Sequence, residues 1–189
     1  MAESEKRDAI LQAALGLIAE RGFHNTPMSL VAKQAGASAG TIYHYFAGKD
    51  ELIHALYQRI KRRFSQMLLV GALDHATPAA QLQQIWLNAF HYYAAHPDEA
   101  QFLEQYETSP YWKPTHDVQI GAEVAQLYAM IEELQARGVM KTLPFEVLFE
   151  LTLGVAIRLA RKHVTGSLTL SHAALRSVAE SCWQAVAAR

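Results

Sequence analysis

The chain has one cysteine, Cys182, in 189 residues. A single thiol excludes an internal disulfide and fits a reducing compartment. No uncharged apolar run reaches the ~18 residues that a membrane-spanning helix needs. The opening MAESEKRDAI is charged and lacks an apolar centre, so it does not read as a secretory signal. The expectation is a soluble, cytoplasmic protein without a membrane partner. An excess of one charge is missing too: 17 Lys and Arg against 18 Asp and Glu leave a net charge of −1, which by itself selects no partner. Gly (10) and Pro (6) are too few for a disordered or low-complexity chain.

Catalytic signatures are absent as well. There is no Walker loop, no G-x-S-x-G, no dinucleotide fingerprint and no H-E-x-x-H. His91 and His96 are five apart and do not share a helix face, so no metal site is expected, and no cofactor. An enzyme built on the His-rich middle of the chain is the remote alternative.

Apolar alternation of period two is not sustained anywhere, and no repeat of fixed period is visible. What is present has the helical period. Ile10, Leu11, Ala14, Leu15 and Ile18 form one stripe, and Gly22 stops that helix. Thr26 reads as an N-cap and Pro27 as a first helical residue, opening MSLVAKQA, with Val31, Ala32 and Ala35 on one face. Gly36 breaks it. Ser38 caps AGTIYHYF, and after Gly48 a long helix starts at KDEL, where Asp50 and Glu51 suit the positive end of the helix dipole. Further helices follow from Pro78, from Pro97, over VQIGAEVAQLYAMIEELQARG, over FEVLFELTLGVAIRLARKHV and over SHAALRSVAESCWQAVAA. The fold class is all-α, with about nine helices.

The stretch GASAGTIYHYF has an order that a core does not require. Small residues come first, and then Tyr43, His44, Tyr45 and Phe46 crowd one turn. Two short helices joined by a Gly-containing turn form a helix-turn-helix. Ile42 and Phe46, four apart, share an inward face, which leaves Thr41, His44 and Tyr45 outward. Small residues at the start of the second helix permit close approach, and the hydroxyls of Tyr43 and Tyr45 suit phosphate or base edges. The charge distribution permits this reading. Residues 1–63 hold nine Lys/Arg and six Asp/Glu, net +3, and the remainder is net −4.

TPMSLVAKQAGASAGTIYHYFAGKDELI resembles the DNA-binding signature of TetR-family transcriptional regulators, over roughly residues 8–56. The resemblance implies double-stranded DNA as a partner. By position it implies a phosphate contact for Thr26, major-groove and phosphate contacts for Ser38, Ala39, Gly40, Thr41, Tyr43, His44 and Tyr45, and a backbone contact for Lys49. Ala39 stands where many members have a basic or polar residue, and Ala37 replaces the usual valine. Beside this, Tyr43 also reads as a packing residue, Lys49 as a solvated helix start, and Thr26 as a cap in either case. The implied plan is a three-helix head over residues 1–48 and a ligand-binding and dimerisation lobe over residues 49–189. It also implies a homodimer on a pseudo-palindromic operator and a small-molecule effector. A regulator without an effector is the alternative.

Two patterns in the lobe bear on that plan. Thr152, Ala156 and Ala160 recur every four residues beside Leu148, and Ala174, Val178, Ser181 and Ala185 line the last helix. Such small seams pair helices closely, across two chains or within one. The middle helices are rich in aromatics, among them Trp86, Phe90, Tyr93, Phe102, Tyr106, Trp112 and Tyr128. These read as the lining of a cavity for a flat, largely apolar ligand, or as a plain aromatic core.

Overall fold

A computed structural model describes residues 3–112 and 122–188. Among these the chain is helical, with ten segments: α1 (Glu3–Arg21), α2 (Met28–Gln34), α3 (Ala39–Tyr45), α4 (Lys49–Leu68), α5 (Pro78–Ala95), α6 (Pro97–Glu107), α7 (Ala122–Ala136), α8 (Phe145–Leu151), α9 (Leu153–Val164) and α10 (His172–Val186). An isolated antiparallel bridge joins Met140 and Ala187. The expected helix start near Val118 lies outside the described residues. None of the described helices is long and apolar enough to cross a membrane.

The helix expected over FEVLFELTLGVAIRLARKHV is two helices. Thr152 interrupts it with φ −122° and ψ −88°. Its hydroxyl donates to the Leu148 carbonyl at 2.7 Å, a local bond that competes with the regular ladder. Taken as one interrupted rod, α8 and α9 restore the expected nine.

The chain divides into two compact units, Met1–Lys61 with Asp98–His116, and Arg62–Pro97 with Asp117–Arg189. The first is centred on the α1 stripe: Ile10, Leu11, Ala14, Leu15 and Ile18 are all buried, with Val31, Ala32, Ile42, Phe46, Leu52, Ile53 and Leu56. It extends past residue 48. The first part of α4 belongs to it, and so does nearly all of α6. Phe102 packs edge-on against Phe23, with ring centres 5.7 Å apart, and Tyr106 stacks on Tyr57 at 4.4 Å. Aromatic burial of this kind ties α6 firmly to the unit that carries the helix-turn-helix.

In the second unit α5 lies against α9 and α10, and α8 against α9 and α10. Ala89 on α5 and Ala156 and Ala160 on α9 are fully buried, so small side chains sit where these backbones come close. Gln83 of α5 donates to Glu180 of α10, and His91 faces His172 with ring centres 6.3 Å apart. The paired numbers run in opposite directions, which makes α5 and α10 antiparallel.

Candidate nucleic-acid interface and C-terminal cavity

The turn between α2 and α3 is built by its glycine. Gly36 has φ +64°. Its N–H bonds the Lys33 carbonyl at 3.2 Å, and the Ala37 N–H bonds the Ala32 carbonyl at 2.9 Å. This pair of bonds closes a helix through one left-handed residue, which glycine adopts without strain. The chain then enters α3 at Ser38. The Ser38 Oγ accepts from the Thr41 N–H at 3.1 Å and lies 2.8 Å from the Thr41 hydroxyl. Ser38 therefore caps α3 as its sequence context predicts.

α3 has two sides. Ile42 and the following Phe46 are buried to 1% exposure or less. On the other side Ala39, Gly40, Tyr43 and His44 are exposed, and Thr41 and Tyr45 are half-buried. Tyr43 is 56% exposed, an unusual setting for so large a ring. His44 lies edge-on to Tyr45, with ring centres 5.2 Å apart, and its Nε2 is 3.7 Å from Glu3. Of the expected contact residues, seven thus gather at one short helix and its cap.

Two others serve the unit internally. Thr26 is 2% exposed. Its single hydroxyl hydrogen is shared between the carbonyls of Gly22 at 2.9 Å and Leu17 at 3.3 Å. It closes the end of α1 and does not cap α2, whose N-cap is Pro27, with no side-chain bond. The hydroxyl is therefore committed within the chain. Lys49 is half-buried, and its ammonium donates to the Phe23 carbonyl. Burial lowers its pKa, and Asp50 pulls it partly back. In this structure Lys49 holds the start of α4 to the loop after α1.

The aromatic set of the lobe does not form one pocket. Phe102 and Tyr106 are core residues of the first unit, and Trp112, in that same unit, is 44% exposed. In the second unit Phe90 stacks on Trp86 at 5.9 Å, Tyr93 packs against Phe64 at 4.8 Å, and Tyr128 stacks on Phe145 at 4.0 Å. A cavity of about 30 Å³ does lie in this unit, and of the expected residues Trp86 alone lines it. Its other walls include Leu82, Ile85, Met140, Phe145 and Phe149. Most are aliphatic residues of ordinary helical spacing. Nothing local in the sequence separates them from other core positions.

The small-residue seam is likewise turned inward. Leu148, Thr152, Ala156 and Ala160 are buried within the single chain, so that line packs in the chain's own core. On α10, Ala174 and Val178 are half-buried, and Ser181 and Ala185 are exposed. Val147 and Leu151, four apart on α8, are exposed apolar residues that the sequence reading missed. Cys182 is buried, and burial raises its thiol pKa. Among the described residues no three His, Cys, Asp or Glu side chains converge on a possible metal position.

Residues 10–56 match the family described as bacterial regulatory proteins, tetR family, and residues 79–187 match the tetracyclin repressor-like C-terminal domain. The chain belongs to the TetR family. An uncharacterized HTH-type transcriptional regulator of Haemophilus influenzae is 30% identical over 186 residues, covering 98% of this chain and 97% of that one. The HTH-type transcriptional repressor NicS of Pseudomonas putida is 27% identical over 139 residues, 71% of this chain and 66% of that one. A TetR family transcription regulator from Marinobacter aquaeolei superimposes with a TM-score of 0.91 over 98% of this chain and 97% of that one. At 23% identity that likeness concerns the fold alone. A TetR-family helix-turn-helix protein is a DNA-binding transcriptional regulator, and these relatives are regulators, not enzymes. The α2–α3 element is the helix-turn-helix of this family, which accounts for a short helix with outward rings.

Proposed function

We propose that the chain is a cytoplasmic, homodimeric repressor that binds a pseudo-palindromic operator and is released by a small, largely apolar effector. The observation that carries the DNA reading is α3: Ile42 and Phe46 anchor it while Tyr43 and His44 stand in solvent. Each head places α3 in a major groove. Two-fold symmetry then sets half-sites one helical turn or a multiple apart, about 34–36 Å per turn. Ser38, Ala39, Gly40, Thr41, Tyr43, His44 and Tyr45 meet the groove and its phosphates. Lys49 adds a backbone contact through the N–H groups not used on Phe23. Phosphate contacts make affinity fall steeply with salt.

The dimer forms through the open side of α10, at Ala174, Val178, Ser181 and Ala185, with Val147 and Leu151 of α8 as additional apolar surface. Residues 1–48 act as the head and residues 49–189 as the effector and dimer region. Helix α4 belongs to both compact units, residues 49–61 to one and 62–68 to the other. It is the lever by which an effector that prefers wrongly spaced heads lowers DNA affinity by the same coupling factor. The repressor sign follows the name of the Pseudomonas putida relative.

The test is binding to DNA upstream of the protein's own gene at two salt concentrations, with a Tyr43→Ala/His44→Ala variant beside the parent. Both residues are exposed, so the variant keeps its melting temperature. Selective binding is expected to fall by roughly tenfold or more, the loss of one or two contacts of about 1–3 kcal/mol each. Undiminished selective binding by the variant sinks the assignment of α3. The size of the cavity favours a second reading, a regulator without an effector, because formed ligand pockets measure roughly 300–1,000 Å³.

A further inference from the structure

Two imidazoles meet where α5 and α10 run side by side. Gln83 donates to Glu180. Eight residues further along α5, and eight residues back along α10, His91 faces His172. Eight residues rise about 12 Å on either helix, so both pairs are rungs of one antiparallel ladder. The ring centres are 6.3 Å apart, with planes at 43°. Both residues are exposed to solvent. The His91 ring also lies 5.6 Å from the Phe90 ring, edge-on. Among the described residues neither imidazole makes a hydrogen bond or an ion pair. Local spacing denies His91 a partner in His96, and tertiary packing supplies one in His172.

We infer that His91 and His172 together bind a divalent transition-metal ion, such as Ni²⁺, Zn²⁺ or Cu²⁺, through one nitrogen of each ring, with water in the remaining positions. The donor set selects the class. Imidazole nitrogen suits these ions, whereas Mg²⁺ and Ca²⁺ demand oxygen. An ion held at about 2.0–2.1 Å by one nitrogen of each ring sets the ring centres about 5–6.5 Å apart. The observed separation is at the wide end of that span. Exposed side chains change rotamer readily, so closing the remainder needs no backbone movement. His172 is the first residue of α10, where the helix dipole disfavours a cation held by charge alone. Nitrogen ligation has to outweigh that repulsion, which again favours transition metals. No third His, Cys, Asp or Glu joins the pair among the described residues, so the ion exchanges freely, unlike one in a closed four-ligand site. The two nitrogens come from separate helices that meet only in the folded chain. Binding therefore stabilises the fold. The inference does not depend on the effector or on DNA.

Thermal unfolding of the full chain at pH 7.5 in NiCl2 or MgCl2 tests it, with His91→Gln, His172→Gln and the double variant beside the parent. Both positions are exposed, so the metal-free variants melt as the parent does. At about ten times its Kd, Ni²⁺ is expected to favour the folded state roughly tenfold, a rise of about 3–6 °C that EDTA reverses. MgCl2 gives no rise. Each single variant loses the whole rise and the double variant loses no more, because a chelate fails when either arm is removed. A second readout uses the paramagnetism of Ni²⁺. The ring-proton resonances of His91 and His172 broaden together, at a lower concentration than those of the other histidines among the nine. No rise with NiCl2, an equal rise with MgCl2, or a rise that survives either single variant overturns the inference. So does broadening that reaches other histidines first.

Discussion

Helices α3 and α9 carry equally conspicuous patterns, and the chain uses them in opposite ways. α3 combines small residues with polar rings, and Tyr43 and His44 face solvent while Tyr45 is half-buried. α9 repeats small residues every fourth position, and they are buried within the chain, where α9 packs on α5 and α8. The first pattern has an outward meaning in the structure, because Tyr43, which the sequence also allowed as a packing residue, is 56% exposed and not used by the core. The second has no direction of its own. A stripe of alanines admits a close neighbour, and whether the neighbour belongs to the same chain is outside the local sequence. Patterns that conflict with burial are therefore informative about partners, and patterns that agree with burial are not.

The largest expected effect tests the inward side of that contrast. Leucine at Ala156 adds three carbons to a fully buried site and should lower stability by about 2–3 kcal/mol. Chemical denaturation checks this. An unchanged midpoint together with weaker self-association would mean that the α9 stripe faces a partner after all.

Thr26→Val keeps shape and removes one donated bond in the head, shared between the Gly22 and Leu17 carbonyls. A stability loss of about 1–2 kcal/mol is expected, with the salt slope of DNA binding unaltered. An intact midpoint with a shallower slope would return Thr26 to the DNA.

Gly40→Ala sharpens the outward side. A Cβ at Gly40 meets only Ser38 Oγ, at 3.7 Å, and the backbone there is not left-handed. The fold does not require this glycine, so alanine should leave the midpoint unchanged or raise it by up to about 1 kcal/mol. Operator affinity should nonetheless fall by roughly tenfold, if the missing Cβ serves close approach of DNA. Equal affinity would show that α3 needs no such approach.

The smallest effect concerns α5 and α10. Burial and then the neighbouring His172 lower the His91 pKa below its ordinary 6.5. The folded state thus binds fewer protons than the unfolded one, and stability is lost as pH falls from 6.5 toward the lower folded value. A His172→Gln variant should show a smaller drop in melting temperature between pH 7.5 and pH 5.5. An identical drop would remove this pair as a source of acid sensitivity.

Much of this protein was determined by its sequence alone. Helical periodicity with capping residues placed nearly every helix, because each signal acts within one or two turns. The α1 stripe is buried as its spacing predicts, and Gly36 closes the turn that only a left-handed residue completes. The inward side of α3 was legible for the same reason, through Ile42 and Phe46, but of the three residues expected outward only His44 is exposed; Thr41 and Tyr45 are half-buried, and Tyr43 is the most exposed ring. Tertiary structure alone decided the rest. It turned the Thr26 hydroxyl to α1 and Lys49 to Phe23, through carbonyls that no spacing rule locates. It divided the aromatics, giving Phe102 and Tyr106 to the head and Trp86 to a cavity walled mainly by aliphatic residues. It also broke one expected helix at Thr152. These outcomes depend on which elements meet across long separations in the chain. Side-chain type states what a residue can do, and the packing of distant helices decides against what.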